Sequence, residues 1–412
     1  MNRRIERRLL IILTFGFFCS FILVIHNSLQ VPKTSLDSSE FRQLNEKLNK
    51  FENSLIKERE ELEDLQLEVD RKFAQHPHAQ ILKNLVLPLK PWLEPIPIVV
   101  FACNRPVALR EHLRKLISFR KDINQFPIIV SQDCDNTQIK SVVVEFGENV
   151  QYIKCFGVVG SVLGFVGERV VDDLTVAPDF FDYFLATRPL LEVDKTLFCV
   201  SAWNDNGVPE FIDQTANELL YRSDFFAGLG WMMTRDFWQE IGPKWPPGFW
   251  DDFIREPAQR KNRSCIRPEL SRTGMTNFGQ KGASGIFLNQ RPTNFNQLDL
   301  SYLLKQKYDS SFLTKVYSIK NASLNEILMK NVEENEQNEF RIEYESMDNF
   351  LNIARKIGIM ADSKAGVPRT AYLGIISFFL KGNRIFIAPS NSTKWNGYDT
   401  KWEAPRIVLD GL

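Results

Sequence analysis

Two pairs of adjacent carboxylates carry most of the chemistry this chain could do. Asp172-Asp173 follows the apolar run Val170-Val171, and Asp251-Asp252 follows Trp250. A carboxylate pair at a strand's carboxyl end offers hard oxygen ligands, which suit Mn or Mg held against a diphosphate. A carboxylate beside an aromatic wall is pushed toward the pKa range of a useful general base. Together the two pairs supply parts needed to move a sugar off a nucleoside diphosphate: a seat for a cation, and a base for the acceptor hydroxyl. Each pair also has a plainer reading. Asp172-Asp173 could be a solvated turn, and either acid of the second pair could cap a helix or hold a surface arginine. Histidine chemistry is disfavoured. Of the four histidines, His26, His76 and His78 precede the first strand, His112 lies in an amphipathic helical pattern, and none forms H-E-x-x-H. A Ser-His-Asp site would rest on His112 alone.

The elements that must position these acids read as an α/β sheet. Ile96 to Ala102 is a buried-strand run, followed by Cys103-Asn104-Arg105-Pro106. A helical pattern then spans Val107 to Phe119, with Leu109, Leu113, Leu116 and Ile117 on one side, and Phe126 to Val130 is a second strand ending in Ser131-Gln132-Asp133. Polar residues at the carboxyl ends of strand, helix, strand are the nucleotide-site geometry of a doubly wound fold. No G-x-G-x-x-G accompanies it, which disfavours a Rossmann-type oxidoreductase. Val158 to Val166 is glycine-rich and apolar, too short to cross a bilayer, and reads as a buried strand or a distorted loop. Leu197 to Ala202 is a further strand, followed by the turn Trp203 to Gly207. Phe225 to Ile241 leads into the Trp-rich stretch Trp245 to Phe253, Gly279 to Asn296 is loop-like, and a boundary near Leu300 sets off a smaller region.

Bulk composition narrows the setting. Of 412 residues, 44% are hydrophobic, enough to bury one or two cores. Fifty-one basic residues balance fifty-one acidic ones, so no long-range field recruits nucleic acid. Leu9 to Ile25 is largely apolar and follows Arg3, Arg4, Arg7 and Arg8, which predicts an uncleaved single-pass anchor with a cytoplasmic amino terminus and a lumenal remainder. At 1.5 Å per residue that helix is about 26 Å long, matching the thin early-secretory bilayer. Leucines and phenylalanines at three-and-four spacing between Phe41 and Val69 predict a stem coiled coil joining two or more copies, against the plainer reading of a solitary helix or spacer. Four prolines from Pro88 to Pro97 end the stem. The organisation expected is a tail over 1–8, an anchor over 9–25, a stem over 26–95, a catalytic domain over 96–300 and a C-terminal domain over 301–412. Besides Cys19 in the anchor, five cysteines are lumenal, cannot all pair internally, and are not assigned by spacing. Sequons at Asn262, Asn321 and Asn391 agree with that address.

The strings CVSAWNDNG (199–207), DFFAGLGWMM (224–233), FWDDF (249–253), RPELSRT (267–273) and QLDLSYL (297–303) closely resemble the N-acetylglucosaminyltransferase I family. The similarity runs from Ile96 nearly to the carboxyl end. It implies a GT-A type nucleotide-sugar-binding α/β fold with a mixed central sheet and a smaller C-terminal region. The activity implied is that of a type II Golgi membrane protein which moves GlcNAc from UDP-GlcNAc, with Mn, in β-1,2 linkage onto the α-1,3-linked mannose of oligomannose N-glycans, initiating hybrid and complex glycans. The resemblance implies Asp173 as metal ligand, Asp251 as catalytic base, and Arg105, Asp133, Asp172, Trp250, Ala283 and Ser284 at the donor, the last two in a mobile loop. It also implies the disulfides Cys103 with Cys134 and Cys199 with Cys265. The chain departs from the family in two places. Val171 stands where the family has the first acid of Glu-Asp-Asp, and Cys155 to Val170 replaces a longer donor-site segment containing a helix. The alternative implied by those departures is a catalytically impaired member that binds glycoprotein or associates with active enzyme.

Overall fold

The computed structural model describes residues 57, 95–132, 134–154, 167–171, 173–276, 286–329, 338–390, 395 and 397–403, with backbone alone at 167–171. The expected tail, anchor and stem lie outside these residues apart from Lys57 and Pro95, as do Asp133, Asp172, Ala283, Ser284 and the Val158 to Val166 run. Among the described residues no helix is long and apolar enough to cross a membrane. The chain divides into Met1–Asn84 and Leu85–Leu412, and the elements below all belong to the second unit.

A mixed eight-stranded sheet is its centre. In chain order the strands are β1 (Ile98–Ala102), β2 (Ile128–Gln132), β3 (Val150–Lys154), β4 (Gly167–Val171), β6 (Leu197–Ser201), β7 (Leu220–Ser223), β8 (Trp231–Met233) and β9 (Ser264–Pro268), while β5 (Leu174–Val176) pairs with β10 (Thr273–Met275) outside this sheet. Across the sheet the order is β3-β2-β1-β4-β8-β6-β9-β7. The β3, β2, β1 and β4 neighbours are parallel, as are β6 and β9, while β8 and β7 run against them. Strand β1 reads as a continuous apolar run because it lies between two parallel partners with helices over the faces. The second strand starts two residues later than its sequence run, since Pro127 has no N–H for the ladder and only its carbonyl pairs, with the Ile98 amide.

Helix α1 (Pro106–Phe119) opens with proline in its first turn, where a missing N–H costs nothing, and buries Leu109, Leu113 and Leu116. The helix α2 (Thr137–Val144) is capped by Asn136, and α3 (Phe180–Val193) drives Phe180, Phe181, Tyr183 and Phe184 into the core. Short helices α4 (Arg235–Ile241), α5 (Trp250–Arg255) and α6 (Pro257–Arg260) connect β8 to β9. Beyond them, α7 (Lys305–Ser318) and α8 (Leu324–Met329) lead to β11 (Glu339–Tyr344) and α9 (Met347–Ile357). A hairpin of β12 (Ser363–Lys364) and β13 (Val367–Pro368) precedes β14 (Ile376–Leu380) and β15 (Asn383–Pro389), which form a second sheet in the order β11-β15-β14. Tyr308, Tyr372, Leu373 and Trp402, all past residue 300, pack in the same core cluster as the first strands. In return Phe225 belongs to the cluster under the second sheet.

Both implied disulfides are present. Cys103–Cys134 ties the ends of β1 and β2 across 31 residues, and Cys199–Cys265 joins register partners on β6 and β9 across 66. On the loop-entropy model each contributes about 4 kcal/mol.

Candidate active site

The carboxyl ends of β1, β4 and β6 lie along one edge, and the polar residues that follow them converge there. Arg105 closes the start of α1 three residues past β1, and its Nη1 donates to Asp173 Oδ2 just past β4. The Asp173 side chain is 11% exposed against 48% for Arg105, so the carboxylate forms the floor and the guanidinium the rim. The Asp173 carbonyl accepts from both the amide and the hydroxyl of Thr276, at 2.9 and 2.7 Å, which fixes this backbone against β10. A divalent cation carrying a diphosphate needs only one or two protein carboxylates, with phosphate oxygens and water completing its shell. Asp173 fits as one such hard ligand. Among the described residues no three His, Cys, Asp or Glu side chains converge on a point.

His112 is no nucleophile's partner. It is buried on α1, its Nδ1–H donates to the Leu174 carbonyl, and burial holds its pKa down at about 4. Its role is to pin α1 to the strand after Asp173.

A continuous path of contacts leads from Asp173 to the second acid pair. Strand β10 pairs with β5 next to Asp173, and the Thr273 hydroxyl of β10 donates to the Leu229 carbonyl at 2.6 Å. Gly230 has φ +83°, and a Cβ there would lie 2.6 Å from Thr273 Cγ2, so this close approach requires glycine. A Cβ on Gly228 would lie 3.1 Å from the Trp250 ring. The two glycines of GLGW thus let one segment pass between β10 and Trp250. Trp250 stacks on Trp231 at 6.2 Å and on Trp245 at 5.9 Å, which anchors the short helix α5 to the sheet. Asp251 follows directly. A relay of packed residues thus connects Asp173 to the helix that carries Asp251.

The Asp251 environment differs from the aromatic wall expected from sequence. The Trp250 ring turns into the cluster of Trp231, Trp245 and Phe226, while Asp251 Oδ2 accepts from Arg255 Nη1 at 2.6 Å. Asp251 Oδ1 takes no hydrogen bond among the described residues, and the side chain is 41% exposed. Arg255 is held in place by the Phe226 carbonyl at 3.1 Å and the Phe225 ring at 4.8 Å. The same Nη1 donates to Asp252 Oδ1 at 3.0 Å, and Lys364 of the β12–β13 hairpin reaches Asp252 at 3.2 Å. For Asp252, burial opposes ionisation, but the hydrogen bonds from Lys364 and Arg255 prevail and its pKa falls below the usual carboxylate value.

The turn after β6 is buried polar structure. Asn204 bridges to the Glu269 carbonyl, Asn206 accepts from the Met360 amide, and Asp205 receives Arg369 at 2.9 Å. Burial raises the Asp205 pKa, against the pull of Arg369. Arg369 also holds Asp362 and lies 5.1 Å from the Phe225 ring, the ring that Arg255 approaches. This cluster brings the second sheet's leading hairpin onto the Asp251 helix. Sequence reasoning missed Asp205, Arg255, Lys364 and Arg369. The i,i+4 spacing of Asp251 and Arg255 was readable, whereas nothing local marks the partners from 362–369. A cavity of about 480 Å³ opens at the opposite end of β6 and β9, beside Thr196, Arg222, Arg260 and Ser264. It touches neither Asp173 nor Asp251.

Comparison with known proteins follows the same lines. The chain is 33% identical over 335 residues to the alpha-1,3-mannosyl-glycoprotein 2-beta-N-acetylglucosaminyltransferase of Arabidopsis thaliana, covering 72% of this chain and 74% of that protein. Among solved structures it is similar to S. aureus TarS 1-349, at 11% identity and TM-score 0.34, over 44% of this chain and 60% of that one. It is also similar to the mannosyltransferase PcManGT from Pyrobaculum calidifontis in complex with GDP-Man and Mn2+, at 13% identity and TM-score 0.30, over 64% of this chain and 77% of that one. The model of the GNT-I family matches residues 8–163 and 165–402, so the chain belongs to the GNT-I family.

Proposed function

We propose that this protein transfers GlcNAc from UDP-GlcNAc to the α-1,3-linked mannose of oligomannose N-glycans, inverting the anomeric centre. Family membership and the relative's name support the reaction class. The observation that supports the residue assignment is the relay of contacts from Asp173 through β10 and Gly228–Gly230 to Trp250, the residue before Asp251. In this reading the catalytic region has the GT-A fold, follows an anchor at 9–25 and a self-associating stem at 26–95, and faces the Golgi lumen.

Asp173 would hold Mn, which would supply a Lewis acid for the departing diphosphate, while Asp172 and Asp133 are assigned to the nucleoside end of the donor. Arg105, at the rim beside Asp173, adds a cation where the diphosphate's negative charge develops. Trp250 acts by stacking on Trp231 and Trp245, which holds the Asp251 helix to the sheet, and Ala283 and Ser284 are assigned to the donor. Asp251 takes the proton from the mannose 2-hydroxyl as that oxygen bonds to the GlcNAc anomeric carbon. The bond from that carbon to the diphosphate oxygen breaks, and UDP leaves with the electron pair. Arg255 holds one Asp251 oxygen while the other is open to the incoming hydroxyl. Holding both reactants together supplies orientation.

Val171, in place of the family's first acid, favours a second reading: a member with weakened donor binding that acts by binding glycoprotein. One experiment separates the two. The full chain, purified in detergent, is assayed for GlcNAc transfer to an oligomannose N-glycan with Mn and with chelator. Turnover that falls by about 10²- to 10⁴-fold in Asp251→Asn with UDP-GlcNAc binding retained supports the assignment. Unchanged turnover in that variant refutes Asp251 as base, and no turnover in the native chain supports the second reading.

A further inference from the structure

Phe249, immediately before the Trp250-Asp251-Asp252 run, is 84% exposed, and among the described residues it is the one aromatic side chain left open to solvent. Its backbone is also in the left-handed region, at φ 51° and ψ 39°, which a β-carbon disfavours. An exposed apolar ring on a strained residue is doubly unfavourable for folding alone. Such strain persists where the surrounding structure imposes it, and it concentrates at binding and catalytic sites. Here Pro246-Pro247-Gly248 delivers the chain into the turn, and the Phe249 carbonyl accepts from the Phe253 amide at 3.1 Å, so α5 itself holds the ring outward.

The polar groups beside it complete a pattern. Asp252, three residues after Phe249, and Lys364 are each 42% exposed and meet at 3.2 Å, which places an exposed hydrogen-bond acceptor and donor within one helical turn of that ring in sequence. A pyranose ring presents an apolar C–H face and a rim of hydroxyls, each both donor and acceptor. An aromatic face with an adjacent carboxylate and ammonium matches both parts. The neighbouring Asp251 has one oxygen without a partner among the described residues. Arg255 occupies the inner side of Asp251 and Asp252, so the outer side is where a substrate must arrive.

We infer that Phe249 with the Asp252–Lys364 pair forms the acceptor subsite: a mannose-type ring stacks on Phe249, its hydroxyls bond to Asp252 and Lys364, and one hydroxyl is thereby delivered to Asp251. This rests on the function proposed above and adds residues to its acceptor side, one of them contributed by the β12–β13 hairpin. Phe249, Asp252 and Lys364 bind the acceptor in this scheme, and Asp251 does the chemistry. The donor side, at Arg105 and Asp173, is untouched by it.

The test uses the full chain in detergent, with oligomannose N-glycan binding followed by saturation-transfer NMR and initial rates measured against both substrates. Phe249→Gly and Lys364→Ala are each expected to raise the acceptor KM about tenfold or more while the UDP-GlcNAc KM stays within about twofold. Phe249→Tyr keeps the ring and is expected to retain native acceptor binding. Phe249→Gly relieves the left-handed strain, so its melting temperature should not fall, which separates lost recognition from lost folding. Lys364→Arg keeps a cation beside Asp252 and is expected to retain acceptor binding, whereas an unchanged acceptor KM in Lys364→Ala means that the pair only braces the hairpin and overturns its part in reading the sugar. Native binding by Phe249→Gly, or a rise confined to the UDP-GlcNAc KM, overturns the inference while leaving the proposed reaction standing. Failure of the native chain both to bind and to glycosylate oligomannose overturns the reaction and the inference together.

Discussion

Replacing Arg272 with methionine tests whether the donor edge depends on a buried ion pair. Arg272 and Asp179 are both 0% exposed and meet at 3.1 Å. The guanidinium also donates to the carbonyls of Leu270 and Asn217, and lies 5.0 Å from the Phe295 ring and 5.6 Å from the Tyr183 ring. Methionine fills much of the volume but leaves Asp179 with only the Asn289 amide, at 2.9 Å, while its Oδ1 already lacks a partner among the described residues. Stranding a buried carboxylate in this way costs about 3–5 kcal/mol. With a urea slope of about 3 kcal/mol/M, the unfolding midpoint falls by about 1 M or more. Asp179→Asn added to Arg272→Met removes the stranded charge, so the double variant should recover a large part of the loss, a coupling of about 2 kcal/mol in a double-mutant cycle. The backbone at Arg272 also bonds to Ala202 and Ala177, and Thr273 beside it starts β10 next to Asp173. UDP-GlcNAc affinity should therefore weaken in Arg272→Met at temperatures where the protein is still folded. A cost under about 1 kcal/mol, or strictly additive effects of the two substitutions, would refute the claim that this pair is held together by mutual neutralisation.

Three further outcomes follow from particular contacts. Gly230→Ala should destabilise by about 2–4 kcal/mol, from left-handed backbone strain plus the collision with Thr273, and Thr273→Ser should relieve part of it in urea titrations. Burial depresses the His112 pKa to about 4, so the unfolded chain binds the proton more readily; its contribution is whole above about pH 6.5 and is lost as pH falls toward 4, by about 3 kcal/mol. That loss should be absent from His112→Phe when the two pH–stability curves are subtracted. Asp205 has a raised pKa from burial, so the native protein should lose stability relative to Asp205→Asn as pH climbs from the ordinary carboxylate range through the raised value, measured as the difference in urea midpoints at about pH 4 and about pH 7.

The fold near the donor edge was largely legible because its signals are local. The apolar run before Arg105, the helix opened by Pro106 and the strand from Leu197 all lie within two residues of where periodicity put them. Phe225 to Ile241 was read as one stretch, yet the chain breaks it at Gly228 and Gly230 and again at Thr234, whose hydroxyl caps α4. Those breaks come from the close approach of β10 and Trp250, which is a tertiary demand with no local pattern. The acceptor-side partners were hidden for the same reason. Lys364 lies 112 residues from Asp252, and Arg369 lies 164 from Asp205. Sequence spacing can place Asp251 and Arg255 on one helical face, but it cannot foresee that a hairpin from beyond the second sheet's first helix will supply the next cation.

That hairpin also decides between two adjacent acids that the sequence leaves equivalent. Successive residues on a helix point about 100° apart, so Asp251 and Asp252 share Arg255 but differ in what else they meet. Asp252 is gripped by two cations, Arg255 and Lys364, and they pull its pKa below the ordinary carboxylate value despite the opposing effect of burial. A carboxylate so stabilised in its charged form is a weaker proton acceptor, and its oxygens are already engaged. Asp251 meets only Arg255, through one oxygen, and so retains a site for a proton from an incoming hydroxyl. Asp252→Asn should therefore lower acceptor affinity and spare the maximal rate, whereas Asp251→Asn should lower the rate about 10²- to 10⁴-fold and spare affinity. A reversal of those two phenotypes would transfer the base assignment to Asp252 and make Lys364 the group that must release it.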